Sequence, residues 1–414
     1  MYLPEELMLQ VLLRLPPKSL SRFRSVCKAW QAMIDSPPFM NQYLMLTHAY
    51  DVSGNESLHL ICQECIFGPT NMTFLFSDKQ IINLNCLPDI SDLYEDTERW
   101  FHPSICGPIN GIYCISITPS QTSRCVNMFW NPGNGQVHVL PPIPDPVITD
   151  HLADLYNEME RDPLAMLYGG FEFDPLSEDY KFFSIEQYGY PFLSPLHHFV
   201  CFHLYSLASN SWQQLDPVQL AHPDLINIYD DGRATFVPEL MTPILALPFN
   251  RSCHWVDDRV VGRDESGMIV ITYLLSFDIV NRVFRVSTIP KTALGESFLS
   301  LTTVDGCLAA VSLEDVLNSI DKVAAVIHVG VMKEYGIEES WIKAYRVVLN
   351  APGTFLGIVD DQLFVQETDG WMVLYALGSH QEDYNECCYV PFQHFTILPF
   401  KGSLIPICPS THAQ

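Results

Sequence analysis

Apolar side chains recur at helical spacing at the start of the chain and at strand spacing through most of the rest. Leu3, Leu7, Val11 and Leu15 fall every four residues, with Leu12 widening the stripe, and this predicts an amphipathic helix. Pro4 suits its first turn, and Glu5 and Glu6 suit its positive end. Pro16-Pro17 ends it. A second helix is expected from near Ser19, with Leu20, Phe23, Cys27, Trp30 and Ile34 on its apolar face and Arg22, Arg24 and Lys28 making it basic. Ser36 followed by Pro37 marks a third start, with Phe39, Tyr43 and Leu46 facing inward. Three short helices bury too little surface to be comfortably stable alone. Leu9, Leu12 and Leu13 also spread apolar character around the first helix. One side can pack internally, while the other calls for a partner or for a following domain that the module would cap.

From about residue 60 the pattern changes to short apolar runs, each ending in an aromatic and a turn rich in Asp, Asn, Ser, Pro or Gly. It recurs in MFWNPGNGQVHVLP (128–141), GFEFDPLSEDYKFF (170–183), HLYSLASNSWQQL (203–215), LSFDIVNRVFRVS (275–287) and, more weakly, MVLYALGSHQEDYNECCYV (372–390). These segments read as β-hairpins. Trp212 and Phe284 each follow an aromatic, Tyr205 and Phe277, at the same spacing. NGIYCISI (110–117), TTVDGCLAAVS (302–312) and DDQLFVQE (360–367) add further strands. Repeated hairpins at uneven intervals predict a β-propeller with variable loops, and a β-sandwich or open barrel is the alternative. The expected class is therefore α+β multidomain: a three-helix module over residues 1–46, a linker over 47–59, a mainly-β domain over 60–408 and a tail over 409–414. Two long connections interrupt the hairpins, at 145–168 and 216–250.

Composition narrows this picture. Of 414 residues, 48% are hydrophobic and 17% charged, which excludes a disordered chain. No apolar run is long enough to span a bilayer. Glu5 and Glu6 stand where a signal peptide would be basic. Thirteen cysteines, an odd number, then read as reduced thiols in the cytoplasm, with the nucleus as a second location. The net charge of −26 is unevenly placed, because residues 1–46 hold five basic and three acidic side chains and the excess lies behind them. Such a field repels nucleic acid and anionic membrane and speeds encounter with a basic protein, although acidity also serves solubility alone. In the first long connection Asp145, Asp150, Asp154, Glu158, Glu160 and Asp162 face a single basic residue, Arg161. Loops on a rigid scaffold are where specificity usually sits, so these six are candidate target contacts.

Signatures of catalysis are missing from the sequence. There is no Walker A, GxGxxG after a strand, HExxH or GxSxG. Cys62-x-x-Cys65 lacks a second ligand pair. Cys387-Cys388 falls in an expected strand, and the adjacent His197 and His198 would point to opposite faces of one. Trp212, Trp255 and Trp341 read as blade-core aromatics. No catalytic residue, metal or cofactor is expected.

The order LPEEL, VLLRLPPKSL, RFRSVCKAW at the N-terminus resembles the F-box of plant F-box proteins. The β region resembles their F-box-associated, kelch-like domain through NGIYCI, FWNPGNGQVHVLPPIP, GFEFDPLSEDYKFF, LYSLASNSWQQL and YLLSFDIVNRVFRV. VMKEYGIEESWIKAYRV (331–347) resembles a motif which that domain shares with S-locus F-box relatives. The resemblance implies docking on a Skp-type adaptor, which joins the chain to a cullin and a RING subunit in an SCF-type ubiquitin ligase. Adaptor contacts carry over to Leu3, Pro4, Leu7, Val11, Leu12, Leu15, Pro16, Leu20, Cys27 and Trp30. It implies a non-catalytic substrate-recognition role and, for the S-locus F-box-like relatives of pollen, targets that are basic ribonucleases. The 145–168 and 216–250 segments depart from the family in length and acidity, so its partner choice does not transfer. The competing readings are a propeller enzyme, such as a kelch-type oxidase, a lectin-like binder, and a scaffold acting outside any ligase.

Overall fold

In the computed structural model the hydrophobic pattern resolves into a helical module and a ring of β-sheets. The structure describes residues 5–43 with small breaks, the strands Leu60–Glu64, Thr73–Ser77 and Gln80–Asn83, and residues 101–407 with internal breaks, the longest at 147–164.

The module holds α1 (Glu5–Leu12), α2 (Pro17–Phe23) and α3 (Lys28–Ile34), followed by helical residues 38–40 and 42–43. The single helix expected from near Ser19 is two helices. Cys27 is extended (φ −160°, ψ 161°) and caps α3, while the Ser25 hydroxyl donates to the Arg22 carbonyl and closes α2 with a turn. Arg24 reaches across the break to Asp35. Leu12, Leu13, Leu20, Ile34, Phe39 and Tyr43 form the core of the module. The Tyr43 hydroxyl donates to the Leu15 carbonyl at 2.9 Å, and Ser36 accepts from the Phe39 amide as the expected cap.

Five blades follow from strands consecutive in sequence. Blade I pairs Phe101–Ile109, Ile112–Pro119, Val126–Asn131 and Gln136–Val139. Blade II pairs Ala165–Asp174, Asp179–Gly189, His198–Ser206 and Ser211–Leu215. Blade III runs from Leu247–Phe249 to Val283–Thr288, blade IV from Ser297–Val304 to Trp341–Val348, and blade V from Gly353–Val359 to Tyr384–Tyr389. A composite sixth sheet closes the ring, with the late strand Phe395–Pro399 innermost against Leu60–Glu64, Thr73–Ser77 and Gln80–Asn83. Neighbouring blades touch all the way round. The propeller is therefore the observed architecture, and the sandwich and open barrel are set aside.

All five hairpins read from the sequence are present. Three of the turns open on a side chain that satisfies the backbone: Asp174 accepts from the Leu176 amide, Asp278 from Val280 and Asn281, and Asn131 from Gly133. Within the long connection 216–250 the described residues include α4 (Pro217–Leu220) and short strands, one of which, Ile244–Leu245, adds parallel to the inner edge of blade II. Aromatics weld the blades together. Phe129 of blade I meets Phe171 of blade II at 5.2 Å, and Phe183 stacks on Phe277 of blade III at 3.8 Å. Trp255 and Trp341 are buried, and Trp212 donates to the Pro141 carbonyl between blades I and II. Gly170 has no room for a side chain, since a Cβ there would lie 2.6 Å from the Cys253 sulfur.

Candidate interaction sites

Two features of the structure are candidate contact surfaces. The first is the outer side of α1. Helical spacing puts Leu12 and Leu13 in the module core, 1% and 5% exposed, and leaves Leu7 and Val11, one turn apart, 48% and 55% exposed. Of the ten residues assigned to the adaptor, Leu12 and Leu20 are core residues that hold the helices together. Leu15 and Trp30 are half-buried against that core, and Leu7, Val11 and Cys27 are exposed. Leu3, Pro4 and Pro16 lie outside the described residues. Val26, 61% exposed in the break between α2 and α3, adds an apolar surface residue not among the ten; it surfaces because the expected second helix is broken there.

The second surface is the centre of the ring. A channel of about 600 Å³ runs between the inner strands of blades I, III, IV and V and the closing strand, with Leu245 and Ala246 beside blade II. Ile105, Leu247, Leu301, Phe355 and Ile397 contribute apolar wall, and the lining includes no basic side chain. Four two-residue turns join first to second strands, at Asn110-Gly111, Asn250-Arg251, Asp305-Gly306 and Asp360-Asp361, all with positive φ as a type I′ hairpin requires. Two of these turns put Asp305, Asp360 and Asp361 at one end of the channel. The Tyr345 hydroxyl donates to Asp305 Oδ2 at 2.9 Å. Burial, the Asp305 charge and a hydrogen bond between the two carboxyls raise the pKa of Asp361. Sequence reasoning passed over these aspartates, because DG and DD between apolar runs read simply as turns.

The residues proposed from the acidic connection are mostly out of view. Asp145 is exposed on the segment leaving blade I, and Asp150, Asp154, Glu158, Glu160 and Asp162 lie outside the described residues. So do Cys65 and His197. Cys387 and Cys388 lie in the outer strand of blade V. Among the described residues no cluster has the ligands for a metal ion, and no helix is long and apolar enough to cross a membrane.

The segment VMKEYGIEESW is explained by structure. Gly336 has φ +82°, a left-handed conformation that favours glycine. Ser340 closes the turn through the Ile337 and Glu334 carbonyls, and Trp341 enters the core. Glu338 spans to blade III, accepting from the Thr288 amide at 3.1 Å and from its hydroxyl.

Comparison with known proteins supports the same division of the chain. The F-box domain family matches residues 2–42. F-box protein CPR1 of Arabidopsis thaliana is 23% identical over 83% of this chain and 73% of its own length. F-box protein At3g61340 and F-box only protein 8, from the same plant, are 29% and 42% identical over 33% and 11% of this chain, which spans 31% and 15% of their lengths. Among solved structures, TolB from Acinetobacter baumannii aligns over 85% of this chain and 72% of its own at 11% identity, with a TM-score of 0.36. F-box proteins are substrate-recognition subunits of SCF-type ubiquitin ligases, and an F-box domain implies a Skp-type adaptor as partner. The chain is an F-box domain followed by a β-propeller domain.

Proposed function

We propose that this chain is the substrate-recognition subunit of an SCF-type ubiquitin ligase, working without catalytic residues of its own. The observation that carries the reading is the F-box match over residues 2–42 together with the exposed Leu7–Val11 face inside it. The module would dock on a Skp-type adaptor, with cullin and RING subunits joined indirectly, and the propeller would hold a target near the charged ubiquitin carrier. Proximity then raises the effective concentration of target lysines without bond chemistry in this chain. The free, buried thiols of Cys106, Cys114, Cys201 and Cys253 are in keeping with a cytoplasmic or nuclear protein.

Co-elution of the purified chain with a Skp-type adaptor tests the proposal. Leu7→Asp with Val11→Asp is expected to weaken adaptor binding by roughly a hundredfold or more, with the melting temperature of the propeller unchanged. Co-elution that survives the double substitution sinks the adaptor face. The net charge of −26 favours a basic target, including a ribonuclease of the kind bound by the S-locus F-box-like proteins. Affinity for a basic ribonuclease should then fall steeply as salt is added, and salt-independent affinity argues against that class of target.

A further inference from the structure

We infer that Cys106 and Cys114 form an oxidisable dithiol in the inner wall of blade I, which closes to a disulfide when hydrogen peroxide enters the central channel. This chemistry does not depend on which target the propeller carries. Strand pairing places the two cysteines directly opposite one another, on the inner strand of the blade and its neighbour, so both side chains leave the sheet on the same face. Residues opposed in this way have Cα atoms about 4.5–5.5 Å apart, inside the range of about 4.4–6.8 Å that a disulfide spans. Neither cysteine is in a disulfide, and the two thiols are hydrogen-bonded to each other.

Access separates their roles. Cys106 lines the channel and is 6% exposed, whereas Cys114, 0% exposed, lies behind it in the core with Ile112, Phe129 and Phe171. Burial raises the pKa of Cys114 well above the ordinary thiol value, and the hydrogen bond and charge of Cys106 add to this. Cys114 is thus the poorer first nucleophile. The sulfur of Cys106 attacks one peroxide oxygen, the O–O bond breaks, and the departing hydroxide takes up the thiol proton as water, leaving a sulfenic acid. The sulfur of Cys114 then attacks that of Cys106. The S–S bond forms, the S–O bond breaks, and the hydroxide leaves as water with the proton of Cys114. One peroxide is reduced to two waters and two thiols are oxidised. The pair consumes the sulfenic acid before a second oxidant can carry it to the irreversible sulfinic state. Cys253 of blade III is near enough to interact electrostatically with both, but it stands opposite Phe277 on its own sheet and does not line the channel.

To test this, the full chain is reduced, freed of reductant, exposed to hydrogen peroxide, alkylated with N-ethylmaleimide in denaturant and digested with trypsin. Cleavage after Arg99 and Arg124 puts Cys106 and Cys114 on one peptide with no other cysteine. Closure therefore reads by mass spectrometry as a peptide lighter by two hydrogens that carries no maleimide. That species is expected to dominate after peroxide and to disappear on treatment with dithiothreitol. In Cys114→Ser the sulfenic acid has no resolving partner, so its trapping by dimedone at Cys106 should rise about tenfold over the unaltered chain. In Cys106→Ser, Cys114 should keep its thiol through the same exposure, and Cys253→Ser should leave closure unchanged. Retention of both thiols in the unaltered peptide overturns the proposal, as does a bond from Cys106 or Cys114 to Cys253. Oxidation of Cys114 that is as fast in Cys106→Ser as in the unaltered chain overturns it too. The unaltered chain decides the matter by itself where a variant fails to fold.

Discussion

Three buried ionisable side chains set how the propeller responds to pH. His203 and His254 are almost fully enclosed, and burial lowers their pKa values to about 4, in His203 despite a Glu186 oxygen 3.6 Å from its Nδ1. Both are neutral in the folded chain, so the unfolded chain takes up their protons first as pH falls below about 6.5. Stability is expected to be lost between there and pH 4, seen as a melting temperature that falls on acidification. Glu172 runs the other way. Burial outweighs its bond from the Phe173 amide and raises its pKa to about 7, so it stays protonated in the fold until the pH approaches 7. Its contribution is full below the ordinary carboxylate value and disappears as pH rises toward 7. Glu172→Gln should therefore raise the melting temperature at pH 8 more than at pH 5. Equal gains at both pH values would show that Glu172 is charged in the fold. Glu338 is a packing latch of a different kind, and Glu338→Ala is expected to cost about 2 kcal/mol, because it leaves the Thr288 amide without its acceptor. Denaturant unfolding reads this directly.

At the scale of elements, turn chemistry and strand period made the fold legible. DPLSED, DIVNRV and NPGN each place an Asp or Asn where the backbone needs an acceptor, and apolar runs flank them on both sides. The break between α2 and α3 was hidden for a physical reason: Leu20, Phe23, Cys27 and Trp30 keep helical spacing through it. Only the extended backbone at Cys27 shows that the spacing is interrupted. The exposed side of α1 was partly readable, because Leu7 and Val11 share a stripe that cannot all face inward. Which leucines turn inward depends on packing by Ile34, Phe39 and Tyr43, and periodicity on one helix does not contain that information. Substituting core and surface leucines should separate the two roles. Leu20→Asp is expected to unfold the module and Val11→Asp to spare its fold, as a helical circular dichroism signal measured on both would show.

At the scale of the whole molecule, ring closure was invisible from sequence. Leu60 pairs with Pro399, and the run from Ile61 to Glu64 continues against Leu398 to Phe395, a register that no local pattern announces. The chain then returns to blade I, where Asn131 donates to the Ile405 carbonyl and Gln136 accepts from the Ile407 amide. A chain shortened to end before Phe395 lacks the inner strand of the closing sheet. It is expected to bind an apolar dye and to unfold without a single sharp transition, while still co-eluting with a Skp-type adaptor. A sharp, full-length-like transition in the shortened chain would show that closure is dispensable.

That closing sheet also imposes an order in time. A ribosome delivers the helical module and Leu60–Glu64 well before Phe395–Pro399, so Leu60–Glu64 must wait until all five blades have been made before gaining its inner neighbour. During synthesis the helical module is complete long before the ring can lock. Under the proposed function, a prematurely terminated chain would compete for adaptor while holding nothing, a dominant-negative product written into the connectivity of one sheet.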